Sequence, residues 1–216
     1  KKIEDIDMAT IFTPNELKKK LRYSKFNIID TGLKHGSVTV VSNNIKFELT
    51  TLRKDIKTDG RHAKVEFSSD WKEDAGRRDF SINSIYSNGE GDLFDPYNGK
   101  KDLESGYINF IGNAENRIKE DYLRILRYVR FFINYSNQKH NPEIIKIIKR
   151  NIEGISQLSP ERLLDEFKKL LKSKGFVKLF KDKESLELIK IIFPQFKNIE
   201  DFKKMNTYSS ENLAKV

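Results

Sequence analysis

The sequence predicts an α+β fold in which a mixed strand-and-helix first part gives way to an all-helical second part, and three observations carry that reading. Short β-type segments at residues 3 to 8, 36 to 41 and 45 to 51 surround a helix that begins at Thr13-Pro14. From about residue 113 the apolar residues recur at helical spacing, over roughly 113 to 135, 141 to 151, 159 to 173 and 184 to 192. Between the two regimes, Ser105-Gly106 and Gly112-Asn113 break both patterns, so the join falls near residues 105 to 115 and the domains are 1 to 110 and 111 to 216.

Each element has a local reason. Thr13 is a good N-cap and Pro14 suits the first helical turn, where its missing N–H costs nothing. Ser159-Pro160-Glu161 repeats that signal at the start of the third helical stretch. Alternation puts Asp5 and Asp7 on one face of the first strand and Ile6 and Met8 on the other, toward a core. In the strand at 45 to 51, Ile45, Phe47 and Leu49 share one face and leave Glu48 opposite, beside Lys46 and Thr50.

Composition narrows the function. With 216 residues and 37% hydrophobic content, the chain has enough apolar mass for one or two modest cores. It has no cysteine and three scattered histidines, which excludes disulfides and thiolate zinc sites, so a metal would sit on oxygen. A formal charge of +9 favours a polyanionic partner such as nucleic acid, although the lysine excess also fits a compositional bias. No apolar run approaches the roughly 18 residues of a membrane span, and the first residues lack a secretory h-region, so a cytoplasmic location is expected, with no membrane partner.

Two constellations carry chemistry. If the strands pair, Asp5, Asp7 and Glu48 would form a carboxylate cluster suited to Mg²⁺, a hard cation that keeps water and phosphate in its shell. Two such ions would activate an attacking hydroxyl and stabilise a leaving pyrophosphate. Taken alone, a spaced aspartate pair more often belongs to a solvated edge strand or turn.

The stretch from Glu120 to Ile133 is more telling. Read as one helix, it places Tyr122, Ile125, Leu126, Val129, Phe132 and Ile133 on an apolar stripe. Asp121, Arg124, Arg127 and Arg130 then follow one another at i, i+3 on a polar ridge, which by itself also fits a solvated face. Cytosine and adenine share an exocyclic amino donor beside a bare ring nitrogen, whereas uracil and guanine offer a carbonyl beside a ring N–H. An aspartate accepting from the amino group and an arginine donating to the ring nitrogen would therefore admit C and A and reject U and G. Arg127 and Arg130 would serve a phosphate or orient the pair.

With these residues in order, the chain resembles the class II tRNA nucleotidyltransferases and bacterial poly(A) polymerases over roughly residues 1 to 173. Asp5-Ile6-Asp7 looks like the family's metal-binding pair, Phe47-Glu48-Leu49-Thr50 like the strand that follows it, and His35-Gly36-Ser37-Val38 like the connecting strand, with His35 structural. Asp74-Ala75-Gly76-Arg77-Arg78-Asp79-Phe80-Ser81-Ile82-Asn83-Ser84 is similar to the ribose and triphosphate motif, which implies nucleotide contacts from Arg77, Arg78, Asp79 and Asn83: phosphate for Arg78, ribose hydroxyl for Asp79. Ser81 and Ser84 replace a usual threonine and alanine. Asp95-Pro96-Tyr97-Asn98-Gly99 resembles the hinge between head and neck, Glu120-Asp121 with Arg124, Arg127 and Arg130 the nucleotide-selecting motif, and Ser159-Pro160-Glu161-Arg162 through Phe167 a supporting neck helix.

The resemblance implies a nucleotidyltransferase-type head with a small mixed sheet, followed by a helical neck and partial body. It also implies transfer of CMP or AMP from CTP or ATP to the 3′ end of tRNA with Mg²⁺, with catalytic roles for Asp5, Asp7 and Glu48. A poly(A) polymerase would use the same motifs. The family's Gly-Gly and Val-Arg-Asp segment lies upstream of the aspartate pair and is not in this chain, which starts at Lys1. A fragment, one half of a split product, or a catalytically incomplete RNA- or nucleotide-binding form completed by a partner chain is therefore also expected.

Overall fold

The computed structural model describes residues 5–33, 36–43, 45–57 and 64–196, so the expectations for residues 3 and 4 and for His35 lie outside the described residues. The chain separates into two compact units, Lys1–Arg78 and Asp79–Val216.

The first unit is built on a four-stranded mixed sheet. Its elements are β1 (Asp5–Thr10), α1 (Pro14–Leu21), β2 (Asn27–Gly32), β3 (Ser37–Ser42), β4 (Ile45–Thr51), β5 (Arg53–Lys57), β6 (Lys64–Phe67) and α2 (Trp71–Gly76). The strand order is β1-β4-β3-β2, with β1 parallel to β4 and the other neighbours antiparallel. Asn43, in the left-handed region at φ 48°, follows β3 and lies in the turn toward β4. Helix α1 starts in a capping box: Thr13 Oγ1 accepts from the Glu16 N–H, and the Glu16 carboxylate accepts from the Thr13 N–H at 2.8 Å. Among the described residues of this unit, Leu17, Val38, Val40, Leu52 and Ala75 form its buried apolar set. The alternation read in β4 holds, with Ile45, Phe47 and Leu49 half-buried and Lys46 and Glu48 exposed. Met8 departs from expectation: it is 48% exposed rather than in the core, on a strand that among the described residues stands at the edge of the sheet.

The second unit opens with the short hairpin β7 (Tyr86–Ser87) and β8 (Leu93–Phe94) and then becomes helical. Its helices are α3 (Gly99–Ser105), α4 (Ala114–Glu120), α5 (Leu123–Tyr135), α6 (Pro142–Asn151), α7 (Pro160–Leu171), α8 (Phe176–Leu179) and α9 (Lys183–Ile192). Around α5, whose Ile125, Leu126, Val129 and Ile133 are buried, the core gathers Phe80, Phe110, Tyr128, Ile148, Phe167, Leu170 and Leu188. Apolar burial at roughly 25 cal/mol per Å² makes this cluster the main source of the unit's stability.

The single helix expected over 113 to 135 is two helices. Asp121 ends α4 in an extended conformation, φ −155° and ψ 105°, and its carboxylate accepts the Leu123 N–H at 3.2 Å. That local hydrogen bond competes with the helical ladder and restarts it at Leu123. The polar ridge is thus three arginines on α5 preceded by an aspartate outside the helix.

Candidate active site

In the first unit, parallel pairing of β1 with β4 sets Asp7 beside Glu48 and Asp5 beside Lys46. Neighbours in register share a face, so the Asp7 and Glu48 carboxylates lie in one row, and both residues are exposed. Thr39 on β3 continues that row. The donors are oxygen only, which fits a hard divalent cation completed by water and phosphate. Among the described residues no group of three His, Cys, Asp or Glu side chains stands ready as a metal cage.

The same unit contains a buried acid that had counted only as part of a motif. Asp74, 2% exposed, accepts the Arg53 N–H at 3.0 Å and Arg77 Nε at 2.9 Å, while Arg78 Nη2 lies 3.5 Å from its other oxygen. A carboxylate three and four residues ahead of two arginines on a helical turn collects both. Asp74 therefore gathers Arg77 and Arg78 and ties them to the start of β5.

In the second unit, Asp79 is held by its neighbour in sequence. Phe80 is fully buried and pairs with Phe110 in an antiparallel bridge, with the Ile111 N–H donating to the Asp79 carbonyl at 3.0 Å. The carboxylate, almost fully buried, accepts Asn83 Nδ2 at 2.6 Å on one oxygen and Arg127 Nε on the other. Burial pushes its pKa up, but the hydrogen bond and charge of Arg127, the Asn83 amide and the charge of Arg124 outweigh it and hold the carboxyl below the ordinary aspartate value. For Arg127, burial acts downward, and the bond to Asp79 outweighs it and raises the guanidinium further.

Asp121 and Arg124 stand within one turn, the Arg124 N–H donating to the Asp121 carbonyl at 3.0 Å, yet their side chains are held by different partners. Arg162 Nη2 donates to Asp121 Oδ2 at 2.7 Å, and the Leu123 N–H takes Oδ1. Arg124 Nη1 donates to Glu120 Oε2 at 2.7 Å and to the Arg117 carbonyl at 2.6 Å, which uses both hydrogens of that nitrogen. Both bonds run through Nη1, and the planar guanidinium fixes Nε and Nη2 in the plane those two bonds set. Arg130 instead donates to the buried Glu166 at 2.5 Å and joins α5 to α7.

The sequence named Asp121, Arg124, Arg127 and Arg130 but did not show that Arg162 holds Asp121, that Glu120 holds Arg124, that Glu166 holds Arg130, or that Asp74 holds Arg77 and Arg78. Asp74 and Glu120 had a signal, since helical spacing puts them beside their arginines. Arg162, 41 residues from Asp121, and Glu166, 36 from Arg130, had none in the periodicity, and only the resemblance of their segment to a supporting neck helix pointed to them.

A family profile described as "Poly A polymerase head domain" matches residues 1–109. The chain belongs to that poly(A) polymerase head-domain family. A second profile of these polymerases, "Probable RNA and SrmB-binding site of polymerase A", matches residues 140–200. Among relatives, the human mitochondrial CCA tRNA nucleotidyltransferase 1 is 45% identical over 173 residues, 79% of this chain and 40% of that protein. The solved CCA-adding enzyme of Bacillus stearothermophilus in complex with CTP superposes at a TM-score of 0.70 with 31% identity, over 86% of this chain and 42% of that one. A tRNA nucleotidyltransferase complexed with a primer tRNA and an incoming ATP analog gives 0.68 and 28%, over 89% of this chain and 53% of that one. The chain thus spans about 40% of the length of its curated relatives. Nucleotidyltransferases generally use divalent metal ions, in keeping with the oxygen donors on β1 and β4. Among the described residues no helix is long and apolar enough to cross a membrane.

Proposed function

We propose that the chain is the head and neck of a template-independent nucleotidyltransferase that adds CMP and AMP, from CTP and ATP, to the 3′ end of tRNA. The observation that carries this reading is the separate anchoring of Asp121 and Arg124: an acceptor and a donor one turn apart, each held by its own partner rather than neutralising the other. Such a pair meets the amino group and bare ring nitrogen of C or A and leaves both partners unpaired against U or G.

The remaining roles follow from the chemistry of each group. Asp7, with Asp5, holds Mg²⁺, and Glu48 stands beside Asp7 in the same row. When bound, the metal supplies charge for the leaving pyrophosphate and lowers the pKa of the attacking hydroxyl. Arg77 and Arg78, gathered by Asp74, receive phosphate oxygens. Asp79 and Asn83 face the ribose, and Arg127 orients Asp79. Arg130 braces the helix rather than meeting substrate. We take the functional head to end near residue 110, which agrees with the last matched position, 109. The reading carries a cytoplasmic location with it, whereas the human relative is named as mitochondrial.

The test is incorporation of labelled CTP and ATP, separately and together, onto a tRNA lacking its terminal CCA, with Mg²⁺ and with an EDTA control. Metal-dependent growth by up to three nucleotides, ending after A, supports the proposal. Long runs of A on any RNA would instead mark a poly(A) polymerase, a reading that the name of the matching head-domain profile keeps open.

A further inference from the structure

We propose that an open cavity beside α3 is a second nucleotide site, one that takes the ribose and 5′-phosphate of a ribonucleotide whatever its base. The cavity has a volume of about 340 Å³, within the roughly 300 to 1,000 Å³ of ligand sites. It is lined by Tyr97, Asn98, Lys101 and Asp102 around the start of α3, and by Asn109 and Gly112 from the segment ahead of α4. Among the described residues, the side chains proposed to meet the incoming nucleotide, Asp79, Asp121 and Arg124, are not in that lining. The site goes beyond the transfer reaction, and only the choice of probe below rests on the base reading proposed above.

The lining matches the two ends of a ribose phosphate. Asp95 accepts the Gly99 and Lys100 N–H groups at 2.7 and 2.9 Å, so the Asn98 side-chain amide is not used in capping α3 and is left to the cavity. The Asn109 carbonyl accepts the Ser81 N–H at 3.0 Å, which leaves its exposed side-chain amide to the cavity as well. Lys101 is exposed and has no ion-pair partner among the described residues, whereas Lys100 beside it stands 4.0 Å from Glu104. An ammonium and two amides suit a phosphate. Asp102 is the opposite kind of group: its Oδ2 accepts the Ser81 hydroxyl at 2.5 Å, and the lone pairs that remain suit further hydroxyl donors and repel an anion. A bare phosphate therefore fits only part of the wall, and a neutral sugar leaves Lys101 without its anion. A ribose phosphate satisfies both, its diol donating to Asp102 and its phosphate accepting from Lys101 and the amides. The ring of Tyr97 stacks on any base. Gly112, at φ 77° with no atom within 4 Å of where a Cβ would stand, keeps the wall open.

The experiment is equilibrium binding of UMP to the unaltered protein, to Lys101→Gln and to the control Lys100→Gln, with an unfolding curve for each. UMP carries the ribose phosphate on a base that Asp121 and Arg124 are proposed to refuse, so it reports on the cavity. Lys101→Gln is expected to weaken UMP about tenfold, the loss of a charge-assisted hydrogen bond, and to leave CTP binding unchanged. Lys100→Gln is expected to change neither. The 2′-deoxy form of UMP, which lacks one hydroxyl of the diol, is expected to bind about fivefold more weakly. Absence of UMP binding, equal affinity in the unaltered protein and Lys101→Gln, equal affinity for the deoxy form, or inorganic phosphate that competes as well as UMP would each overturn the proposal. A short oligouridylate with a 3′-hydroxyl separates the sources: displacement of UMP identifies the end of an RNA as the occupant, its failure identifies a free nucleotide, and either result keeps the site. Equal binding of CTP and UTP by the unaltered protein would refute the base reading instead, with the Lys101 dependence of UMP still deciding the cavity.

Discussion

Arg127 donates its Nε–H to the buried carboxylate of Asp79, a residue 48 positions earlier in the chain. This single bond joins the segment that follows α2 to α5, and both partners are charged because each holds the other so. It gives the most direct structural prediction. Arg127→Met leaves Asp79 buried without its cation and should destabilise the protein by about 3 kcal/mol, as breaking a buried pair does. Urea unfolding checks it, and a double variant with Asp79→Asn should regain part of the loss. Additive losses would show that the two side chains act independently.

Acid should weaken the second unit through a different pair. His140, stacked on Phe132 with ring centroids 3.5 Å apart, bonds Tyr128 at one nitrogen and Asp182 at the other, at 3.0 and 2.8 Å. Burial raises the Asp182 pKa, but the hydrogen bond from His140 and those from Ser185 outweigh it and bring the carboxyl down to about 2, from 3.8. A depressed carboxylate contributes stability above its unfolded pKa and loses it as pH falls through the folded one. The wild type should therefore lose stability between pH 3.8 and about 2, and Asp182→Asn should show a shallower loss in that window. Denaturant midpoints measured across it decide the matter. Identical slopes would remove Asp182 from the account.

Gly99 should tolerate no side chain. A Cβ there would lie 2.1 Å from the Ser81 carbonyl oxygen, and backbone cannot swing aside as a side chain would. The close approach lets Asp95 accept the Gly99 and Lys100 N–H groups and lets Ser81 donate to Asp102, so α3 seats against the residues that follow Asp79. Gly99→Ala is expected to cost about 1–3 kcal/mol, an overpacking cost read as a lower melting temperature. A melting temperature equal to the wild type would mean that the two segments are less closely packed than described.

Asp7→Ala should abolish nucleotide incorporation while leaving nucleotide binding measurable. Asp7 lies in the β1–β4 carboxylate row proposed to hold metal, a role separate from that proposed for Asp121 and Arg124. Single-turnover incorporation and equilibrium binding, run side by side, separate the two. Extension of RNA by Asp7→Ala at the wild-type rate would remove the metal role from this residue.

The fold was legible wherever one pattern ran long enough. The signals Thr13-Pro14 and Ser159-Pro160 mark the starts of α1 and α7. Alternation in β4 gives the exposed Glu48 directly. The break at Asp121 was not legible, because the apolar stripe passes through it without changing phase and only a side-chain-to-backbone bond interrupts the helix. The two-residue strands β7 and β8 are too short to show a period.

At the candidate site, residue types on the ridge could be read, but what holds them could not. Periodicity reports neighbours three or four positions apart, so Glu120 beside Arg124 and Asp74 beside Arg77 were within its reach. The Asp79–Arg127, Asp121–Arg162 and Arg130–Glu166 pairs join residues 36 to 48 positions apart through tertiary packing. The last of these pairs gives Arg130, which the ridge alone offered to phosphate or to orienting the base-reading pair, a partner on α7.

The central claim is that Asp121 and Arg124 act as the template. Its most direct measurement is the affinity of the protein for each of the four nucleoside triphosphates, before and after Asp121→Ala. The account predicts that CTP and ATP bind about tenfold to a hundredfold more tightly than UTP and GTP, and that the alanine variant brings all four together. An undiminished preference for C and A in Asp121→Ala, or equal binding of all four by the unaltered protein, would contradict it.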